Sequence, residues 1–316
     1  MQEQHINKQP LVSVIIPTHN RAEMLNRAVN SVLAQTMKDF ELIVVSDGST
    51  DNTQEVLEKI KDQRVCFLKH ESEKGAAAAR NTGIQASRGR YIAFLDDDDE
   101  WLPTKLEHQV LVIQNAQREV GLVYHWMEYV RDGCVLETRK PTLRGYIFPE
   151  MLDKQAITNS STLLLKREVL DIVYGFDETL WRGNDGDFIR RVTKHFHVDY
   201  VPEVLCKVYV GHNDRISTNN KQGIRNRLAG VKKWLEKFES DFAKYPEKKA
   251  KILLAIAKDH MELGEIKNAF LFVKEAIRAC PRIRDKIIIF WELPCAIGRY
   301  AKRLVNERIH TDHVKS

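Results

Sequence analysis

Short apolar runs rich in β-branched residues alternate with amphipathic helical patterns in the first third of the chain. The apolar runs predict four strands, over residues 11–16, 40–45, 65–69 and 91–95. The helical spacing between them predicts three helices, over residues 21–35, 53–61 and 75–86. Asn20 is the expected N-cap of the first helix. Strands that alternate with helices indicate parallel βαβ units, so we predict an α/β fold with a mainly parallel sheet flanked by helices.

The pattern becomes less regular in the middle of the chain and then changes completely. The elements expected there are a helix over 103–117, strands over 120–124 and 160–165, a hairpin turn at Asp132-Gly133 and a helix that ends near His195. From residue 219 onward the strands stop and the apolar spacing is helical throughout. We therefore predict a flexible tail over residues 1–9, an α/β domain over 10–218 and an all-helical domain over 219–316.

Polar clusters follow three of the four predicted N-terminal strands. They occupy residues 17–20, 46–51 and 96–99. The carboxyl ends of parallel strands meet at one edge of a sheet, and ligands bind at that edge in open α/β folds. We therefore expect the three clusters to line one crevice.

The last of these clusters consists of four successive carboxylates, Asp96 to Asp99. Carboxylates crowded at a strand end repel one another unless a cation or protons compensate their charge. Oxygen ligands of this kind suit Mg²⁺ or Mn²⁺. Taken alone, the run is as consistent with a solvated acidic loop. A calcium loop fits less well, because Trp101 stands where such a loop needs glycine for its sharp turn.

Two common nucleotide-binding motifs are missing from the loops that follow the strands. Neither GxGxxG nor GxxxxGK[ST] occurs there, which argues against an NAD-linked Rossmann enzyme and against a P-loop nucleoside triphosphatase. If phosphates bind at this edge of the sheet, a metal ion must therefore hold them.

Cysteine usage and the terminal sequence bear on the compartment. The five cysteines are scattered and include no CxxC pair, which favours a reducing environment. The N-terminus is polar, and no apolar stretch reaches the roughly 18 residues that a membrane span needs. We expect a cytoplasmic protein.

Charge is distributed unevenly along the chain. Residues 219–316 contain 22 Lys and Arg against 12 Asp and Glu, a balance of +10, which leaves −5 for residues 1–218. A basic surface suits an anionic membrane or nucleic acid, although the solvated faces of charged helices produce the same balance. We predict peripheral contact with the inner face of a membrane and no nucleic-acid partner.

Four motifs in the N-terminal two thirds carry a family resemblance. They are VSVIIPTHNR, ELIVVSDGSTDNT, GAAAARNTGI and GRYIAFLDDDDEW. In order and spacing they resemble the family 2 glycosyltransferases, over about residues 10–217. The resemblance implies the Rossmann-like GT-A fold. It also implies inverting transfer of a sugar from a nucleotide-diphosphate donor, with a UDP-sugar expected, to a glycan or lipid-linked acceptor in cell-envelope polysaccharide synthesis.

The resemblance also assigns a set of donor-binding residues: Pro17, Thr18, Asn20, Asp47, Arg80, Asp96 and Asp97. In the family pattern, Asp47 hydrogen-bonds to the base of the donor, Asp96 faces the ribose and Arg80 lies near the diphosphate. Without the family context, Asp47 would be interpreted as a turn residue and Arg80 as part of a solvated helix face.

The metal ligands implied by the resemblance are Asp98 and His212. Asp98 completes the family's DxD motif and would bind the Mn²⁺ or Mg²⁺ ion that bridges the diphosphate. His212 lies in YVGHNDRIS, which resembles the segment that closes the GT-A core. Arg215 in the same segment is expected to face the diphosphate. A histidine considered alone is more often a surface or hydrogen-bonded residue.

The segment GFDETLWRGNDGDFIRRV resembles the family region that carries the catalytic base, and Asp185 falls at the base position. The segment departs from the family pattern at three places, because Tyr174 replaces a glycine, Asn184 a glutamate and Gly186 an aromatic residue. One carboxylate is enough to accept the proton of an attacking hydroxyl. As an acid at a helix N-terminus, Asp185 would also be stabilised by the helix dipole. Asp187 is the alternative base.

The C-terminal helices resemble one tetratricopeptide repeat over residues 251–281. A single repeat cannot bury its own apolar face. We expect it to pack on the α/β domain, on a helix near 228–238 or on another subunit, which leaves a homo-oligomer open. The predicted role is support for acceptor binding or assembly.

Two other functional classes remain open at this point. A nucleotidyltransferase shares the architecture, but PTHNR stands where its glycine-rich phosphate loop is expected. A non-catalytic binding protein built on a degenerate transferase is disfavoured, because Asp96, Asp98 and Asp185 are all acidic.

Overall fold

The computed structural model describes residues 9–153, 157, 159–180, 183–211 and 221–279 of the chain. The chain divides into two units, Met1–Met151 with Gln155–Asp214, and Leu152–Lys154 with Arg215–Ser316. The predicted site residues His212 and Arg215 lie outside the described residues.

The described strands of the first unit form one sheet. They are β1 (Val12–Thr18), β2 (Phe40–Asp47), β3 (Val65–His70), β4 (Tyr91–Phe94), β5 (Asp99–Trp101), β6 (Val120–Arg131), β7 (Cys134–Arg139), β8 (Leu164–Lys166) and β9 (His197–Tyr209). Their order is β3-β2-β1-β4-β8-β6-β9-β5, and β7 pairs with β6. Strands β1 to β4 are parallel, as are β6 and β9, whereas β5, β7 and β8 run antiparallel to their neighbours.

Helices pack on both faces of this sheet. The described helices of the first part of the chain are α1 (Ala22–Leu33), α2 (Thr53–Lys59), α3 (Ala76–Ala86), α4 (Lys105–Asn115), α5 (Phe148–Asp153), α6 (Glu168–Val173) and α7 (Asn184–His195). Successive residues of a strand face opposite sides of a sheet. Accordingly, Ile16 of β1 packs in one core with Leu25 of α1, whereas Ile15 packs in a second core with Ala77 of α3. The predicted α/β fold is confirmed.

The strand register brings the three polar clusters to one edge of the sheet, as predicted. Thr18 at the end of β1 is level with Ser46 near the end of β2. On the other side of β1, Ile15 is level with Phe94, the last residue of β4. The acidic run therefore begins beside the end of β1, on the side opposite to β2.

The predicted cap of the first helix is wrong. Helix α1 begins at Ala22, and its first backbone N–H donates to Asp51 Oδ2 at 3.2 Å. Asn20 has a φ of 52°, and its side-chain oxygen accepts a hydrogen bond from the Thr50 backbone N–H at 2.7 Å instead. The loops after β1 and β2 thus satisfy each other's polar groups, and these contacts join residues that are about 30 positions apart in the sequence.

Two predictions further along the chain had different outcomes. The hairpin is confirmed, because Asp132 and Gly133 connect β6 to β7 with φ of 49° and 78°, the positive values that a two-residue turn requires. The strand predicted over 160–165 is wrong in its first half. Residues Ser160–Thr162 form a 3₁₀ turn, and the Asn159 side chain accepts a hydrogen bond from the Ser161 N–H at 2.7 Å. That bond offers the backbone an alternative to strand pairing.

The described part of the second unit is helical. Its helices are α8 (Lys221–Lys237), α9 (Glu239–Phe242), α10 (Pro246–Glu262) and α11 (Ile266–Ala279). Helices α10 and α11 pack against each other across a turn in which Gly264 has a φ of 80°. They form the predicted helix pair, while the resemblance to a tetratricopeptide repeat stays a prediction. Within the described residues, every helix is too short or too polar to cross a membrane.

Candidate active site

The acidic run leaves the carboxyl end of β4 and enters β5. One carboxylate oxygen from each of Asp96, Asp98 and Asp99 lies within 4.8 Å of the others. Carboxylate oxygens gathered in this way suit a divalent cation such as Mg²⁺ or Mn²⁺. The structure thus places the predicted ligand Asp98 in a cluster of acids together with Asp96, the residue that the family resemblance assigns to the ribose.

Asp99 belongs to this cluster although sequence reasoning does not single it out as a ligand. Its side chain is buried, and its Oδ2 accepts hydrogen bonds from the Ser161 hydroxyl at 2.6 Å and the Asn159 amide at 3.1 Å. Burial, reinforced by the negative charges of Asp98 and Asp96, raises the pKa of Asp99 well above its usual range. A cation beside this carboxylate would favour its charged form, so the residues fit a metal ion.

Asp97 pairs with an arginine from the loop after β1. It is 5% exposed, and its Oδ1 accepts a hydrogen bond from Arg21 Nη1 at 3.0 Å. The same nitrogen lies 3.1 Å from Asp98 Oδ2. The pKa of Asp97 is raised to about 6, because the effect of burial exceeds the lowering by the Arg21 charge. Arg21 was not a predicted site residue, and the donor-binding role of Asp97 stays a prediction.

Arg80 connects the acidic run to the predicted base. It lies in α3 and is 4% exposed, so the alternative of a solvated helix face is wrong. Its Nη2 donates to Asp96 Oδ1 at 2.6 Å and to Ser160 Oγ at 3.2 Å. Its Nη1 donates to Asn184 Oδ1 at 3.2 Å and lies 3.3 Å from Asp185 Oδ1. Burial opposes the charge of Arg80, but the two carboxylates more than compensate and raise its pKa.

Asp185 lies in the first turn of α7, immediately after Gly183 and Asn184, and this confirms its predicted place at a helix N-terminus. Its side chain is 22% exposed. The pKa of Asp185 is raised to about 6, because burial and the Asp96 carboxylate raise it by more than the Arg80 guanidinium lowers it. A carboxylate with this pKa is ionised at neutral pH and still basic enough to accept a proton.

The alternative base, Asp187, has a different environment. It is 5% exposed, and its Oδ2 accepts a hydrogen bond from Arg191 Nε at 2.8 Å, one turn further along α7. This partly buried ion pair within one helix favours a structural role for Asp187 and leaves Asp185 as the stronger candidate.

A turn between α5 and β8 positions the serine hydroxyls of the site. Side chains of β5 and α4 donate hydrogen bonds to backbone carbonyls of this segment. Trp101 donates to Ser161 at 2.7 Å, Gln109 to Thr162 at 2.9 Å and Lys105 to Leu163 at 3.3 Å. Held in this way, the turn allows the Ser160 hydroxyl to donate to Asp96 Oδ1 at 3.1 Å and the Ser161 hydroxyl to donate to Asp99. Neither serine was a predicted site residue, because no motif marks them.

Asp47, the predicted ligand for the donor base, ends β2 and is buried. Its Oδ1 accepts a hydrogen bond from the Lys74 N–H at 2.9 Å and lies 2.6 Å from His70 Nδ1, while its Oδ2 accepts from the Gly75 N–H at 2.7 Å. The carboxylate therefore fastens β2 to the loop before α3. Oδ2 retains acceptor capacity for a base, and that contact stays a prediction.

The remaining predicted donor residues lie at the same sheet edge. Pro17 and Thr18 are the buried last residues of β1, level with Val45 and Ser46 of β2. Asn20 is exposed just beyond them. Their contacts with a nucleoside are predictions that the geometry permits.

Comparison with known sequences identifies relatives of the chain. The family model for glycosyl transferase family 2 matches residues 13–160, a range that contains Asp47, Arg80 and the acidic run. The uncharacterized glycosyltransferase MJ1057 of Methanocaldococcus jannaschii is 33% identical over 223 residues, which cover 68% of this chain and 76% of that protein. The Escherichia coli enzyme WfaP, a UDP-Glc:alpha-D-GlcNAc-diphosphoundecaprenol beta-1,3-glucosyltransferase, is 46% identical over 100 residues, which cover 32% of this chain and 40% of that enzyme.

Comparison with solved structures addresses the fold. The mannosyltransferase PcManGT of Pyrobaculum calidifontis, solved in complex with GDP-Man and Mn²⁺, superposes with a TM-score of 0.58 at 18% identity. The likeness covers 94% of this chain and 83% of that one. It confirms the predicted GT-A fold.

Proposed function

Because this chain belongs to glycosyltransferase family 2, we propose that it transfers a hexose with inversion from a UDP-sugar to a glycan or lipid-linked acceptor. The product would be part of a cell-envelope polysaccharide. One observation carries this proposal: Arg80 contacts Asp96 on one side and Asp185 on the other. Asp96, the carboxylate proposed to contact the donor, and Asp185, the proposed base, are thereby held on either side of one buried guanidinium.

Metal dependence is part of the proposal. Asp98 would hold a Mn²⁺ or Mg²⁺ ion together with Asp96 and Asp99, whose oxygens lie within 4.8 Å of one another. A cation bound there would neutralise the negative charge that develops on the departing nucleotide diphosphate. PcManGT, which shares the fold, was solved with Mn²⁺ and a nucleotide sugar, and this supports the assignment.

Asp185 would act as the general base. In a single displacement, the acceptor hydroxyl oxygen bonds to the anomeric carbon, its proton passes to the Asp185 carboxylate, and the bond from the anomeric carbon to the diphosphate oxygen breaks. Attack from the face opposite the leaving group inverts the anomeric centre. The Arg80 nitrogen at 3.3 Å keeps Asp185 ionised before the reaction, and a pKa of about 6 leaves it able to take the proton.

The donor would bind along the carboxyl ends of β1, β2 and β4. Pro17, Thr18 and Asn20 would line the nucleoside pocket, Asp47 would accept a hydrogen bond from the base, and Asp96 would face the ribose. The choice of UDP rests on the relative WfaP, whose name specifies UDP-Glc. Uracil carries an imide N–H, the type of donor that a carboxylate such as Asp47 accepts.

The acceptor assignment also draws on WfaP, which acts on a sugar linked to diphosphoundecaprenol. A lipid-linked acceptor places the reaction at a membrane surface. The basic balance of +10 over residues 219–316 would support peripheral contact with anionic lipid. Sedimentation with anionic vesicles tests this contact, which should weaken steeply as salt rises because exposed charges are screened over about 8 Å at physiological ionic strength. Binding that is absent or insensitive to salt would contradict it.

The enzymatic proposal is tested by titration calorimetry with UDP, GDP, CDP and ADP, each with and without Mn²⁺, followed by a screen for hydrolysis of the matching nucleotide sugars. We expect one nucleoside diphosphate to bind in a Mn²⁺-dependent way and its sugar to be hydrolysed slowly without an acceptor. The absence of Mn²⁺-dependent binding for every nucleotide would refute the proposal.

A further inference from the structure

An arginine contacts one of the carboxylates proposed to bind the metal ion. Arg21 lies between β1 and α1, and its Nη1 is 3.0 Å from Asp97 Oδ1 and 3.1 Å from Asp98 Oδ2. Asp98 belongs to the acid cluster whose oxygens lie within 4.8 Å of one another. The Arg21 guanidinium and a cation bound at this cluster would therefore share the Asp98 carboxylate.

We propose that Arg21 is a built-in counter-ion of the metal site, and that a divalent cation binds by displacing Arg21 from the Asp98 carboxylate. The inference rests on the proposed metal dependence of the enzyme. In the absence of metal, Arg21 reduces the repulsion within the acidic run. When a cation takes over Asp98, the guanidinium keeps Asp97 as its partner and stays close to the site.

The other arginines around the run have different contacts. Arg27 Nη2 donates to the Asp98 carbonyl oxygen at 2.7 Å, which is a backbone contact, and its guanidinium stacks 3.7 Å from the centre of the Tyr209 ring. Arg80 pairs with the Asp96 carboxylate at 2.6 Å. A cation held by the acid cluster would also meet Arg80 at Asp96, but Arg80 keeps Ser160, Asn184 and Asp185 as further partners. The Arg27 contacts with this carbonyl and this ring involve no carboxylate. Arg21 is therefore the arginine whose ion pair we expect to change when the metal binds.

The size of the competition can be bounded from Coulomb's law. If the guanidinium stayed on the Asp98 carboxylate that coordinates the cation, the two positive charges would lie roughly 5 Å apart, given metal–oxygen distances of about 2 Å. This arrangement sets the upper limit of the competition. Repulsion between a double and a single positive charge at that distance weakens binding roughly tenfold even in the dielectric of water. Removal of the Arg21 charge should therefore tighten metal binding by about tenfold. This direction is opposite to the one expected if Arg21 helped to build the metal site.

The test is titration of the full chain with Mn²⁺ alone. Electron paramagnetic resonance detects the free ion during the titration, so the measurement does not depend on sugar transfer. Arg21→Gln should bind Mn²⁺ about tenfold more tightly than the natural chain. Arg21→Lys, the matched control, keeps the charge and should stay within about twofold of it. Equal or weaker binding by Arg21→Gln, or equal tightening by both variants, would overturn the inference.

Two further variants separate this inference from the metal site itself. Asp98→Asn should weaken Mn²⁺ binding, and Arg21→Gln combined with Asp98→Asn should lose the tightening. If Asp98→Asn binds Mn²⁺ like the natural chain, the proposed metal site is wrong. If Asp98→Asn weakens binding and Arg21→Gln does not tighten it, the metal site stands and the exchange with Arg21 is refuted. Should Arg21→Gln fail to fold, Arg21→Met, which retains the aliphatic stem, provides the same comparison.

Discussion

Replacement of Asp185 by asparagine separates the chemistry of proton transfer from the binding of the donor. The change removes the negative charge in the first turn of α7 but nearly preserves the volume of the side chain and an oxygen that can face Arg80. A positioned general base contributes about 10²- to 10⁴-fold, or about 3 to 5 kcal/mol of activation free energy. We expect kcat to fall by that factor.

Donor binding should survive the same change because the contacts of Arg80 do not depend on Asp185 alone. The guanidinium still donates to Asp96 at 2.6 Å, to Ser160 at 3.2 Å and to Asn184 at 3.2 Å. These three acceptors stay in place around the two terminal nitrogens of the guanidinium. The dissociation constant for UDP in the presence of Mn²⁺ should therefore change by less than about threefold, which is under 1 kcal/mol.

The assay pairs calorimetric titration of UDP with the rate of UDP release from the sugar donor in the presence of acceptor. Asp187→Asn is the matched control, since it removes a carboxylate two residues away that is paired with Arg191 at 2.8 Å. The control should lose stability and keep its transfer rate per folded molecule. Near-normal transfer by Asp185→Asn would mean that the base lies elsewhere. Loss of UDP binding by a folded Asp185→Asn protein would place Asp185 in the donor site and refute the mechanism.

Two further predictions concern pH and packing. Asp185 must be ionised to accept a proton and its pKa is raised to about 6, so kcat/KM at saturating Mn²⁺ should fall about tenfold per pH unit below about 6 and level off above about 7. A pH profile that stays flat down to about 4.5 would contradict this. Gly83→Ala should lower the free energy of unfolding by about 1 to 3 kcal/mol in a denaturant titration, because the added Cβ would lie 2.4 Å from Ile15 Cγ2 at the contact of α3 with β1. Gly133→Ala, where nothing lies within 4 Å of the added carbon, should cost only about 1 kcal/mol for its positive φ, and equal losses for the two variants would argue against the packing explanation.

The sheet and its ligand-binding edge could be predicted because buried parallel strands leave a strong pattern in sequence. Both faces of β1 are covered, since Ile15 and Ile16 belong to different cores, and a strand of this kind is a continuous apolar run. The position of Asp96 after β4 then follows from the end of that run. These inferences need only local information and the rule that parallel strands end together.

The internal arrangement of the acidic run could not be predicted in the same way. Four identical carboxylates carry no alternation of apolar and polar residues, so the pattern itself does not indicate which partner each of them contacts. Only the family resemblance distinguishes Asp98 as a metal ligand. The structure separates them through partners from elsewhere: Arg21 contacts Asp97, and Ser161 contacts Asp99. Asp99 joins the cluster because β5 begins there and pairs with β9, an interaction between distant segments.

Burial of Arg80 is a second feature that depends on distant residues. Its own helix is rich in alanine, and an arginine in such a helix is usually solvated. The partners that keep Arg80 buried lie at the end of β4, in the turn at Ser160 and at the start of α7. Only the family motif indicated that this arginine belongs to the site, and it did not indicate the contact with Asp185.

The most direct test of the central claim, metal-dependent binding of a UDP-sugar at the acidic run, is calorimetric titration of UDP into the natural chain and into Asp98→Asn, with Mn²⁺ and with EDTA. Because the cation is proposed to hold the diphosphate, the natural chain should bind UDP at least about tenfold more tightly with Mn²⁺ than with EDTA, and Asp98→Asn should lose most of that difference. UDP binding that does not respond to Mn²⁺ in the natural chain, or that responds equally in Asp98→Asn, would contradict the account.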